Sequence, residues 1–180
     1  AEGTAVPELA DRTINSVLDA GYKPRNDLET LAATKLTMNK IGNARRNMVV
    51  EAGKSGIVPD GTVAMQATDE LIAKNNDFKF MNPKARETLI ASMKAEAEPL
   101  TQPMSLTELH DEIQRRSDEI DSTVYSKYSG KQSAVRGDPL LNNQKVILDA
   151  LRRELNNRVM GAGPQFAPFQ EMGQNYSALM

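Results

Sequence analysis

The chain reads as an all-α protein: a small helical bundle with a long C-terminal antiparallel helical hairpin and an aromatic, proline-containing tail. Three observations carry this expectation. Apolar residues recur at three- and four-residue intervals almost throughout, no sustained run alternates apolar with polar, and the periodic stretches are separated by Gly and Pro. With 39% apolar, 4% aromatic and 26% charged residues and no Trp, the interior must be thin, built from Ala, Leu, Ile and Met on amphipathic helices.

The first helix is expected over about Pro7–Ala20, with Pro where its missing amide costs nothing and Leu9, Ile14, Val17 and Leu18 on one face, ending at Gly21 before the turn Tyr22-Lys23-Pro24. Asn26 is a candidate N-cap for the second, which places Leu31, Leu36, Ile41 and Met48 inward and stops at Gly53, with Gly42 as a weak point. Gly53 to Gly61 is expected as loop, since Gly56 and Pro59 also fall there. A third helix, about Thr62–Asn75, presents Val63, Ala67, Leu71 and Ile72. Asn82-Pro83 starts a fourth, reaching about Glu98 with Ala85, Leu89, Ile90 and Met93 inward. Pro99 and Pro103 bracket a linker, 99–104, that separates an N-terminal unit, 1–98, from a C-terminal one.

Ser105-Leu106-Thr107-Glu108 is a capping box, in which the Ser and Glu side chains each satisfy an amide left open at a helix start. Leu106, Leu109, Ile113, Ile120, Val124 and Tyr128 follow as a stripe. Asp138-Pro139 opens a second long helix with its own stripe of Leu140, Ile147, Leu151, Leu155 and Val159, ending at Gly161. Two such helices joined by a short polar loop are expected to pack as an antiparallel hairpin over 105–161. The first is mainly acidic and the second mainly basic, so their flanks are expected to attract and to choose register, while the apolar stripes supply the stability. The tail, 162–180, holds Phe166, Phe169 and Tyr176. Its two Phe rings either fold back on the hairpin or bind another subunit.

Composition narrows the chemistry. There is no Cys and one His, which removes disulfides, thiolate nucleophiles and the common zinc ligand sets, so neither metal nor cofactor is expected. His110 reads as a helix-surface residue, and the carboxylates around it as a solvated face without the spacing of a calcium loop. Gly53-Lys54-Ser55 fails as a phosphate-binding loop, because that motif needs Gly where Met48 stands. Arg136-Gly137-Asp138 spells an adhesion tripeptide, but Asp138 already serves as a helix cap. A net charge of -2 gives no global field toward nucleic acid, so such contact is not indicated. The doublets Arg45-Arg46 and Arg152-Arg153 read as salt-bridged or partner-facing surface. The nine Met are read as helix packing. No run approaches a bilayer span, the opening AEGTAVPELA lacks the blocks of a signal peptide, and cysteine-free usage fits a reducing cytoplasm. With no nucleophile and base in view, the chain is expected to be no enzyme.

The block SLTELHDEIQRRSDEIDSTVYSKYSGK, followed by DPLLNNQKVILDALRRELNNRV and a terminal QNYSAL, resembles helical segments of phage and prophage internal virion proteins of the DNA-ejection type. The resemblance covers Ser105 to Met180 and lies in the layout: a helix with Asp and Tyr, a loop, a Leu- and Arg-rich helix, then an aromatic tail. It implies a virion component that works as a homo- or hetero-oligomer with other protein subunits, and it carries no catalytic residues. The candidate interaction residues are Phe166, Phe169, Tyr176, Arg152 and Arg153. The other expectation is a cytoplasmic helical adaptor that grips one partner.

Overall fold

The computed structural model describes residues 27–128 and 137–179. The helix expected over Pro7–Ala20 and the loop expected between the two long C-terminal helices, residues 129–136, lie outside them. Among the described residues there are six α-helices and no strand, so the chain is all-α. They are α1 (Asp27–Gly53), α2 (Val63–Lys74), α3 (Pro83–Ala97), α4 (Leu106–Tyr128), α5 (Pro139–Gly161) and α6 (Phe169–Leu179), with 3₁₀ turns at Asn76–Phe80, Glu98–Thr101 and Pro164–Phe166. None of these helices is long and apolar enough to cross a membrane. Contacts divide the chain into two compact units, one of Gly53–Arg158 and one joining the described residues up to Ala52 with those from Val159 on.

The Gly53–Arg158 unit begins with a turn in which the Gly56 amide donates to the Gly53 carbonyl at 3.1 Å, and Gly56 takes φ 74°, a left-handed conformation that suits glycine. Along α2 the buried side chains are small, Ala64, Ala67 and Thr68, whereas Val63, Leu71 and Ile72 are only half-buried. Small residues let α2 approach its neighbours closely, which displaces the expected leucine face toward the edge. Asn82 caps α3 as expected, its side-chain oxygen accepting from the Lys84 amide at 3.0 Å, and Pro83 fills the first position. Met93 and Ala97 are buried, but Ala85 is exposed.

The segment 99–104 lies inside this unit. Leu100 is buried, and Gly61 sits so close to Thr101 that a Cβ there would lie 2.8 Å from the Thr101 carbonyl oxygen. The turn Asn76–Phe80, unforeseen in the sequence, is capped by Asn75, which accepts from the Asp77 amide at 2.9 Å. It buries Phe78 and leaves Phe80 exposed.

The capping box at α4 forms reciprocally: Ser105 N donates to Glu108 at 2.6 Å and Glu108 N to the Ser105 hydroxyl at 3.1 Å. Leu106, Leu109, Ile113, Ile120 and Val124 are buried, as the stripe requires. His110 is buried too, against the expectation of a surface residue. It lies one turn beyond Leu106 on the same face, and its Nδ1 sits 3.2 Å from Asp111. On α5, Asp138 accepts from the Leu141 amide at 3.1 Å. Ile147, Leu151, Leu155 and Val159 are buried, but Leu141 takes the place expected for Leu140, which is exposed.

Lys127 pairs with Asp138 at 2.7 Å and Arg152 donates to the Ser117 hydroxyl at 3.0 Å. Acidic side chains of α4 also pair along their own helix. Arg115 pairs with Glu112 at 2.7 Å and Glu119 at 2.8 Å, and Arg116 with Glu112 at 2.6 Å, all on α4. Partners three and four residues away on one helix are nearer than those on the next.

In the other unit α1 is unbroken through Gly42. The loss of about 1 kcal/mol that one glycine brings to a helix is small against a continuous backbone ladder. The buried positions are Ala33, Thr37, Val49 and Ala52, with Met38 and Ile41 packed against Ala33. Leu31 and Leu36, expected inside, are exposed.

Candidate interaction surface

The candidate surface is built on the pairing of α2 with α5. Asn143 of α5 is fully buried, and its side-chain oxygen accepts from the Thr68 hydroxyl of α2 at 3.0 Å. Its amide nitrogen donates to the Met93 carbonyl at 3.0 Å and to Glu96 at 2.8 Å, and Gln144 donates to the other Glu96 oxygen at 3.0 Å. Three helices thus meet at one amide whose donors and acceptor are all used, which is what makes a buried polar group tolerable.

A second tie lies just before α2 begins. The buried carboxylate of Glu154 accepts from the Asp60 amide at 2.7 Å and from Arg158 Nε at 2.6 Å. Asp60 in turn accepts from the Thr62 amide at 2.8 Å and the Thr62 hydroxyl at 2.7 Å. Those two hydrogen bonds hold its carboxyl below the ordinary carboxylate range.

Between the two helices runs a groove of about 410 Å³. Val63, Ala67 and Leu71 of α2 and Val146 and Ala150 of α5 form its apolar floor, each half-buried or buried. Gln66, Glu70 and Lys74 stand along one rim, and Arg153 and Asn157 along the other. Lys74 and Glu70 pair at 3.2 Å. Arg153 is exposed and has no ion pair among the described residues.

The doublet Arg152-Arg153 therefore splits. Arg152 faces α4, donating to Ser117 and pairing with Asp149 at 3.7 Å, while Arg153 stands over the groove, since neighbours on a helix point about 100° apart.

The tail candidates are placed differently. Phe166 and Phe169 are both buried within the chain, and the Arg45 guanidinium of α1 lies 4.3 Å over the Phe169 ring. Arg45 also packs against α6 where residue 173 is Gly; a Cβ at that position would stand 3.0 Å from the guanidinium carbon. The first basic doublet thus supplies a cation–π contact that desolvation strengthens. Tyr176 falls on α6, with its side chain outside the described residues.

Among the described residues no three His, Asp or Glu side chains gather as a metal site would need. Sequence reasoning missed Thr68, Asn143 and Glu154. Asn143 had a usable signal, since it stands four residues before Ile147 on the buried face of α5. Glu154 had none beyond its place beside Leu155. Comparisons with family models, curated proteins and solved structures found no match for the chain.

Proposed function

We propose that the chain is a non-enzymatic structural component of a multi-protein assembly, an internal, ejection-associated or minor structural protein of a phage virion, acting by burial of helix faces against neighbouring subunits. One observation carries the assembly reading. Leu28, Leu31 and Leu36 of α1 are 79%, 53% and 55% exposed, and at 100° per residue they share one side of the helix with exposed Ala32. Scattered exposed leucines need no explanation, but several on one helix face make a patch of the kind that marks interaction sites. The virion setting rests on the layout of Ser105–Met180, with 105–161 as an antiparallel hairpin that the Lys127–Asp138 and Ser117–Arg152 contacts support.

The test is the mass of the full chain by size exclusion with light scattering. A defined oligomer is expected, and Leu28→Ser/Leu31→Ser/Leu36→Ser is expected to convert it to monomer with helix content unchanged. A monomeric parent of about 20 kDa that joins no particle would sink the reading. Terminase, portal and tail genes beside the coding sequence are expected for the virion setting. A second reading, a soluble bacterial adaptor that grips a single partner, is favoured by the groove between α2 and α5 and predicts that monomer.

A further inference from the structure

We infer that the groove between α2 and α5 receives an amphipathic helix of a partner protein, carrying apolar residues at one- and two-turn spacing and a carboxylate placed to meet Arg153. This rests on the reading of the chain as a binding component and names the chemistry of one partner. The lining runs from Val63 to Lys74 along α2 and from Val146 to Asn157 along α5. That is about 16 Å of each helix, or three turns. Two helix faces of equal length over an apolar floor are the seat in which a third helix buries its own apolar stripe against both.

Charge selects the occupant. Glu70 and Lys74 neutralise each other, and Glu154 is already taken by Arg158 and the Asp60 amide. Arg153 is left as the rim's uncompensated charge among the described residues, exposed at the edge of Ala150 and Val146. A helix with a basic flank would place like charge against it, whereas a carboxylate one turn from the apolar stripe gives a planar, two-pronged partner for its guanidinium.

The experiment titrates the full-length chain into two dye-labelled helical peptides of about four turns. Both carry leucines at i, i+4, i+7 and i+11, one with glutamates and one with lysines flanking that stripe, and binding is read by fluorescence anisotropy. The glutamate peptide is expected to saturate and the lysine peptide to bind at least about tenfold more weakly. Arg153→Glu, a change at an exposed position, is expected to reverse that preference, and Leu71→Glu to abolish both while leaving the far-UV circular dichroism intact. No binding of either peptide overturns the inference, as does equal binding of both to the parent and to Arg153→Glu. A concentration-dependent dimer of the free chain that Arg153→Glu dissociates also overturns it, in favour of a second copy as occupant. A leucine-dependent oligomer that binds neither peptide defeats this inference while leaving the assembly reading standing.

Discussion

The Thr68 hydroxyl donates to the Asn143 side-chain oxygen at 3.0 Å in a place from which solvent is fully excluded, and this bond joins α2 to α5. Removing one partner leaves the other buried and unsatisfied, which costs more than the bond contributes. Thr68→Val is expected to lower unfolding free energy by about 1–3 kcal/mol in urea titration. Thr68→Val/Asn143→Leu is expected to lose less than the sum of the single changes. Strict additivity would mean that the two side chains do not depend on each other.

Gly61 is needed for its missing side chain. A Cβ there would press on the Thr101 carbonyl oxygen, a backbone atom that cannot rotate away. Gly61→Ala is therefore expected to destabilise the Gly53–Arg158 unit by about 1–3 kcal/mol, as overpacking does. Thermal melting that shows no change would place the two segments farther apart than described.

Phe169 and Arg45 separate packing from electrostatics. Phe169→Ala removes a fully buried ring and is expected to cost about 3–5 kcal/mol. Arg45→Met keeps most of the contact area and loses the cation over the ring, with an expected cost of about 1–2 kcal/mol. Hydrogen exchange along α6 is the measurement, with protection falling further in Phe169→Ala than in Arg45→Met.

Acid weakens the α4 region in a defined sense. Hydrogen bonds from Ser105 hold Glu108 below its ordinary value, and those from Arg115 and then Arg116 do the same for Glu112. A carboxylate depressed on folding contributes stability that is complete above its unfolded value and is lost as pH falls through its folded one, so the loss sets in below about pH 4. Ser105→Ala is expected to cost about 1 kcal/mol at neutral pH by loss of the cap. Glu108→Gln, which removes the titrating carboxylate that the Ser105 amide holds down, is expected to flatten the acid limb of stability against pH, and an unchanged limb would show that the capping box does not contribute to it.

The sequence made legible those features that local chemistry decides. The Asn82 cap, the capping box at Ser105, the Asp138 cap and the α4 stripe all follow from neighbours within a few residues. Which face turns inward was readable only where the apolar residues are many. On α1 the leucines at 31 and 36 are exposed while Ala33 and Thr37 are buried, so the buried face is not the one the leucines mark. Of the groove, the doublet Arg152-Arg153 and the α2 half of the floor, Val63, Ala67 and Leu71, were legible as a pair and as a helix face, whereas Val146 and Ala150 of α5 were not. Val63 and Val146 come together only through the long-range ties at Asn143 and Glu154, which no window along the chain contains.

The bond from the Asp60 amide to Glu154 closes a loop of 94 residues. Translation proceeds at about 5–20 residues per second, so the Asp60 turn must wait several seconds for its acceptor to be made. Nascent α2 and α3 therefore emerge with only each other to pack on, and the Asn143 and Glu154 ties that fasten them to α5 form last.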